Sequence, residues 1–145
     1  MSIDNAPSRR ARMLELARSR VGKTMFGPGS EVPYGDLSPR ILDCSGFVRW
    51  LCFLVCQTDA VLSPGNPLPS AATMFDALQP TAAPIGGDLA FYGRPGPPAA
   101  HVMMLTEDGG VIGACNEAGS VHEYLTPQYS ARWTLLGFRR FPFQA

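Results

Sequence analysis

The first part of the chain carries apolar residues at helical spacing. In the segment SRRARMLELARSRVG, apolar residues recur every three to four positions, and the arginines fall mainly on the other face. Ser8 is placed to cap such a helix, and Gly22 is a natural stop. The pattern therefore predicts an amphipathic helix with a solvated basic face.

The stretch from Cys44 to about Cys56 is apolar on nearly every side. A helix of that kind belongs in the middle of a domain, because no face of it suits water. Asp43 directly precedes the stretch and is a suitable N-cap. After a loop rich in Pro and Gly, Ser70 is a candidate cap for a short helix that ends at about Leu78.

From residue 86 onward, the periodicity changes to that of short strands. Five apolar segments are separated by turns with Gly or Pro: GGDLAFYG, HVMMLT, GVIGAC, SVHEYL and WTLLGFRRF. Helices followed by a strand meander predict an α+β domain in which the central helix packs on a five-stranded antiparallel sheet. We expect a single domain over residues 1–145, with residues 1–10 as a flexible basic arm.

Charge and hydropathy exclude several classes of function. Lys and Arg together number 12, as do Asp and Glu, so no global field attracts nucleic acid. No apolar run approaches the ~18 residues of a membrane span. The N-terminal sequence MSIDNAPSRRARM lacks the apolar stretch of a secretory signal. We therefore expect synthesis in the cytoplasm without a signal peptide, no nucleic-acid partner and no membrane span.

The cysteine pattern predicts neither a disulfide framework nor a metal site. The chain has four cysteines in 145 residues, and Cys52 and Cys56 share one face of the predicted central helix, as packed core cysteines do. A metal site would need further thiolate or imidazole ligands, and the chain has only two histidines. We expect no metal and no other cofactor.

Cys44 differs from the other cysteines because it begins the predicted central helix. Unpaired N–H groups and the partial positive charge at a helix start favour a thiolate, so we expect a lowered pKa there. The N–H groups of Cys44 and Ser45 would also face an oxyanion formed at an attacked carbonyl. His101 opens a predicted core strand and is a suitable general base for such a thiol.

The order of four motifs resembles the NlpC-type peptidases, which are papain-like bacterial cysteine endopeptidases that cut peptidoglycan stem peptides. The motifs are the Asp-Cys-Ser-Gly block at residues 43–46, the strand GGDLAFYG, the strand that begins with His101 and Val102, and a glycine-bearing hairpin. The likeness covers roughly residues 11 to 140. It implies a papain-like fold and makes Asp88 a structural acid at a strand start.

Carried over residue by residue, the resemblance implies a catalytic pair and its surroundings. Cys44 would be the nucleophile and His101 the general base. Asp43 and Ser45 would shape the oxyanion region and the helix cap, where the substrate binds.

Two positions depart from the family pattern. Family members place a Tyr ahead of the cysteine, near the oxyanion and the substrate; Tyr34 is the candidate here, and Phe26 competes for the same alignment. The family also has a polar residue, often His, about twelve positions after the base, and here that position is Gly113. Asn116 is our candidate for the third catalytic residue, although side-chain alternation along a strand would require a bulge for it to share the face of Gly113. His122 is the second choice, and a main-chain carbonyl or a water molecule is the third.

The resemblance implies a cysteine peptidase that hydrolyses amide bonds in peptidoglycan stem peptides through a thioester acyl-enzyme. The alternative is a catalytically inactive module with a binding or structural role in a larger assembly such as a phage tail. An acyltransferase of the lecithin retinol type is disfavoured, because its histidine precedes its cysteine. We expect delivery to the cell wall by a phage or a secretion machine, with a phage-virion, secretion-machine or immunity protein as partner.

Overall fold

The structure is a computed structural model that describes residues 6–27, 38–56, 70–94 and 96–142. Its elements, in chain order, are α1 (Ala6–Ser19), β1 (Met25–Phe26), β2 (Ile41–Leu42), α2 (Cys44–Cys56), α3 (Ala71–Ala77), β3 (Leu89–Gly93), β4 (His101–Leu105), β5 (Val111–Cys115), β6 (Ser120–Tyr124) and β7 (Thr134–Arg139). This is the predicted α+β class. Within these ranges, no helix has the length and apolar character needed to cross a membrane.

Helices α2 and α3 begin where the sequence predicts. Helix α2 starts at Cys44, directly after Asp43. At the start of α3, the Ser70 hydroxyl accepts a hydrogen bond from the Thr73 N–H (3.1 Å), and the Thr73 hydroxyl accepts one from the Ser70 N–H (3.2 Å). This reciprocal capping box satisfies two N–H groups that a helix start leaves without partners.

Helix α1 differs from its prediction at both its start and its basic face. It begins at Ala6, so Ser8 lies inside its first turn, and residues 6–10 are helical where we expected a flexible arm. The predicted solvated face is also partly wrong. Arg10 donates to the carbonyl of Gly86 at 2.9 Å, and the Arg18 guanidinium donates two hydrogen bonds to Glu123.

The strands form one sheet in the order β2-β1-β6-β5-β4-β3-β7. The five predicted strands are β3 to β7, and every pairing among them is antiparallel. The predicted count of five is too low for the described residues, because β1 and β2 extend one edge. These two strands pair in parallel, with Met25 opposite Ile41. Two-residue strands are too short for an alternating pattern to reveal them.

The two faces of the central sheet are covered differently. Alternate residues of the strands, such as Phe91 and Met104, belong to the core that includes α1 and α2. The intervening residues, such as Tyr92 and Met103, form a second buried cluster on the other face, and partly buried aromatic residues pack against it. Because side chains alternate along a strand, His101 lies on the same face as Met103, opposite the helices.

A buried carboxylate connects the start of β3 to both ends of the described chain. Asp88 is completely buried, and its Oδ1 accepts hydrogen bonds from Arg10 (2.9 Å) and from the Phe141 N–H (3.0 Å). Its Oδ2 accepts one from the Ile85 N–H (3.0 Å). Burying an ionised carboxylate is costly unless it is paired and hydrogen-bonded, and Asp88 meets both conditions. Asp88 is thus the structural acid that the resemblance implies.

Candidate active site

Cys44 is held at the start of α2 by the cap that Asp43 forms. The Asp43 Oδ1 accepts a hydrogen bond from the Gly46 N–H at 2.6 Å and one from the Ser45 hydroxyl at 3.2 Å. Asp43 therefore acts as the predicted N-cap. Among the described residues, no carbonyl or carboxylate oxygen accepts a hydrogen bond from the N–H groups of Cys44 and Ser45. These two donors can face an oxyanion beside the sulfur.

The sulfur of Cys44 is not the acidic thiol that the helix start led us to expect. Burial raises the pKa of the Cys44 thiol to about 11, and the nearby Asp43 carboxylate raises it as well. Hydrogen bonding from the main chain of Val102, and from Ser45 and Cys44 themselves, lowers this pKa but does not outweigh burial. Desolvation disfavours the charged form, and here it exceeds the effect of the helix terminus. Cys44 therefore carries a neutral thiol at neutral pH.

The hydrogen bond from the Val102 main chain places the Cys44 sulfur at the first residues of β4. The Leu105 N–H donates to the Asp88 carbonyl, toward β3. Since main-chain N–H groups alternate in direction along a strand, the Val102 N–H points the other way, toward β5. The pairing of β5 with β4 comprises only Met104 opposite Ile112 and Leu105 opposite Val111. The start of β4 therefore has no β5 partner, and Cys44 approaches its free edge.

His101 precedes Val102 and is 3% exposed. Its imidazole stacks on Trp133, with ring centroids 4.8 Å apart, and its Nε2 lies 2.8 Å from the hydroxyl oxygen of Tyr129. Burial lowers the pKa of His101 to about 4, with a further decrease from Arg94 and an opposing increase from Glu117. At neutral pH the ring is neutral, so one nitrogen carries a hydrogen and the other can accept one.

Cys44 and His101 therefore meet at the same end of β4 from different sides: Cys44 packs against the core on the helix side, and the His101 ring starts from the opposite face of the sheet. The directions of their pKa shifts leave a neutral thiol and a neutral imidazole there. Among the described residues, no hydrogen bond joins Cys44 to His101, and none involves the Nδ1 of His101. Chemically, such a pair can perform general-base catalysis, in which the imidazole takes the thiol proton as the sulfur attacks. The alternative, a stable thiolate–imidazolium pair, conflicts with the directions of both pKa shifts.

Neither candidate for the third residue contacts the His101 ring. A Cβ at Gly113 would lie 2.7 Å from the Met103 Sδ, so Met103 fills the space above that position. Asn116 is exposed in the turn after β5. His122 pairs directly opposite Gly113, but it is exposed, and its ring packs on Tyr124 instead. A catalytic role for Asn116 remains a prediction without a contact to support it.

Sequence reasoning missed Tyr129, whose hydroxyl is the recorded hydrogen-bond partner of the His101 ring. Tyr129 lies in the irregular segment between β6 and β7, where no periodic pattern signals which face a side chain covers. The only available signal was the recurrence of aromatic residues in LTPQYSARW. The predicted substrate-binding residue Tyr34 lies outside the described residues. Ser45 is buried at the helix start, and its contact with substrate, like that of Asp43, remains a prediction.

Comparison with known protein families matches residues 29–139, well over half of the chain, to the NlpC/P60 family. The chain belongs to the NlpC/P60 family. Many structures of NlpC/P60 domains resemble it as well. A comparison with curated proteins gave no significant match.

Three solved structures illustrate the range of this NlpC/P60 fold. The peptidoglycan hydrolase RipB from Mycobacterium tuberculosis is 22% identical, with a TM-score of 0.70 over 100% of this chain and 70% of that chain. NlpC1 from Trichomonas vaginalis is 18% identical, with a TM-score of 0.68 over 96% of this chain; the match covers 46% of NlpC1, so our chain spans about half its length. RipD from Mycobacterium tuberculosis is 19% identical, with a TM-score of 0.60 over 91% of this chain and 96% of that chain. It is described as a non-catalytic NlpC/p60 domain protein adapted to peptidoglycan binding. These likenesses confirm the predicted papain-like fold.

Proposed function

We propose that this NlpC/P60 chain is a cysteine endopeptidase that hydrolyses amide bonds in peptidoglycan stem peptides. The observation that carries the proposal is that the main chain of Val102, the residue that follows His101 in β4, hydrogen-bonds to the Cys44 sulfur and so brings it to the start of that strand. A thiol at a capped helix start, next to a base at a strand start, has the parts that thiol acyl transfer requires. Family membership and the activity described for RipB add support.

In the mechanism we propose, the resting pair is neutral. As the sulfur of Cys44 attacks the amide carbonyl, His101 takes the thiol proton, and a tetrahedral oxyanion forms. The N–H groups of Cys44 and Ser45 donate hydrogen bonds to that oxyanion. The C–N bond then breaks, the imidazolium gives its proton to the leaving amine, and a thioester remains. Water, deprotonated by His101, attacks the thioester, which releases the carboxylic acid and restores the thiol.

Removing the sulfur tests this proposal directly. We expect Cys44→Ala to abolish the release of soluble peptide fragments from purified sacculi, because no other group can form the thioester. Cys56→Ala is the matched control, since Cys56 is a partly exposed cysteine at the other end of the same helix. Release by the Cys44→Ala variant at the rate of the unmodified chain would refute the proposal, provided that both variants fold.

The second candidate function is that of a non-catalytic module that binds peptidoglycan or joins a larger assembly such as a phage tail. The specific observation that favours it is that burial moves both pKa values away from an ionised pair, raising that of Cys44 and lowering that of His101. The description of RipD provides a precedent in the family. Sedimentation with intact sacculi, without release of fragments and without any effect of Cys44→Ala, would favour this function over hydrolysis.

A further inference from the structure

The segment that carries Tyr129 is fixed over the His101 face of the sheet at two points. The Tyr92 hydroxyl donates to the carbonyl of Pro127 at 2.8 Å, which attaches the segment to β3. The Tyr129 ring stacks on Tyr124 of β6, with centroids 4.2 Å apart, and meets Tyr92 edge to face at 5.6 Å. The Tyr129 hydroxyl is therefore held in place 2.8 Å from the Nε2 of His101.

We propose that Tyr129 is the positioning residue of His101: its hydroxyl oxygen accepts the Nε2–H hydrogen and leaves Nδ1 as the nitrogen that can take the Cys44 proton. The proposal rests on the hydrolase function above and assigns to Tyr129 the task that a polar residue of β5 performs elsewhere in the family. Among the described residues Tyr129 makes no hydrogen bond to the Cys44 sulfur, so it acts on the thiol through the His101 ring.

The direction of this hydrogen bond follows from what each tautomer can do. If the Tyr129 hydroxyl donated to Nε2, the hydrogen of the neutral ring would sit on Nδ1, and Nδ1 could not take a proton from Cys44. The tyrosine hydroxyl has a second potential partner for its own hydrogen in Cys115, because the hydroxyls of Tyr124 and Tyr129 favour the thiolate of that cysteine. The hydrogen of the Tyr129 hydroxyl can therefore point toward the Cys115 thiol when the hydroxyl oxygen accepts from His101.

The local packing explains why the positioning group comes from this segment. Gly113 has no side chain, and the Met103 Sδ fills the space where a Cβ would lie. Cys115, two residues further along the same face, is completely buried and approaches the tyrosine hydroxyls. Among the described residues no side chain of β5 hydrogen-bonds to the ring, and its Nε2 meets the Tyr129 hydroxyl instead.

The test is Tyr129→Phe, which keeps the aromatic packing and removes the hydroxyl. The matched control is Tyr124→Phe, which removes the hydroxyl of the stacked neighbour that does not contact His101. Imidazole ¹⁵N shifts report the tautomer directly, and His122→Gln assigns the signals of the two histidines. We expect His101 in the Nε2–H form in the unmodified chain and in the Tyr124→Phe variant, and a shift toward the Nδ1–H form in Tyr129→Phe.

The kinetic readout separates positioning from substrate binding. We expect Tyr129→Phe to lower kcat by about tenfold, the rate equivalent of one hydrogen bond, and to leave KM unchanged. Unchanged ¹⁵N shifts in Tyr129→Phe would overturn the proposal, as would an unchanged kcat in that variant. If the unmodified chain releases no fragments, the hydrolase function fails, whereas the tautomer measurement still decides whether Tyr129 holds the ring.

Discussion

The Cys44 thiol should become reactive toward alkylation at a much higher pH than an ordinary cysteine does. Burial raises the pKa of Cys44 from its ordinary value of 9.0 to about 11. At pH 7.5 this reduces the thiolate fraction by about a hundredfold. The nucleophilicity of a thiolate rises with its pKa, with a Brønsted coefficient of about 0.4–0.5, which recovers a factor of about eight. The net expectation is alkylation about tenfold slower than that of a peptide thiol.

The assay is iodoacetamide labelling between pH 6 and pH 10, with each cysteine quantified by peptide mass spectrometry. The Cys44 rate should still rise about tenfold per pH unit at pH 10, whereas a peptide thiol levels off near pH 9. Cys56 provides an internal contrast, because the Cys52 side chain and Arg9 lower its pKa to about 7. Its labelling should level off first.

The same chain unfolded in urea is the control for access, since the Cys44 sulfur then lacks its burial. There the labelling rate should level off near the ordinary thiol pKa. A Cys44 rate that levels off below pH 9 in the folded chain would refute the reasoning. It would mean that the helix start and His101 outweigh desolvation and hold a preformed thiolate.

Two further predictions concern stability. Burial lowers the pKa of His101 to about 4, so between pH 6.5 and pH 4 the unfolded chain binds a proton that the folded chain does not. The free energy of unfolding is therefore highest above pH 6.5 and falls on acidification. Urea unfolding should show a loss of about 2–3 kcal/mol at pH 4.5, and this loss should disappear in His101→Gln. Asp88→Asn should lower the free energy of unfolding by about 3–5 kcal/mol, because it removes the buried charge that pairs with the Arg10 guanidinium. The control is Asp108→Asn, which removes an exposed carboxylate 3.7 Å from the Arg18 guanidinium and should change the free energy of unfolding by no more than about 0.5 kcal/mol. Equal effects of the two substitutions in chemical denaturation would contradict the burial argument.

Local sequence signals were sufficient for the elements that carry the nucleophile and the base. Helix α2 combines a strong cap, Asp43, with an apolar stretch, so both its start and its end could be predicted. The strands β3 to β7 have apolar segments bounded by turn residues, which are local signals as well. The papain-like arrangement, however, followed from the order of the motifs and the resemblance, and periodicity alone does not specify it.

The parts that could not be predicted depend on contacts between distant segments. The partner of His101 is Tyr129, and the segment of Tyr129 is irregular, so its position is set by the hydrogen bond from Tyr92. Likewise, the balance at Cys44 between a helix terminus and burial depends on how closely β4 approaches the sulfur. Arg10 lies on the predicted solvated face, and only the fold reveals that it reaches a buried carboxylate.

One oxygen atom of Asp88 connects the two ends of the described chain. Since the same Oδ1 accepts from the first helix and from the main chain beyond β7, trimming either end leaves this atom short of a donor. Each truncation should lower the free energy of unfolding mainly through its effect on this one carboxylate. The effect of trimming both ends should therefore be smaller than the sum of the two single effects. The beginning and the end of the described chain therefore form one cooperative unit, although neither belongs to the site where the chemistry would take place.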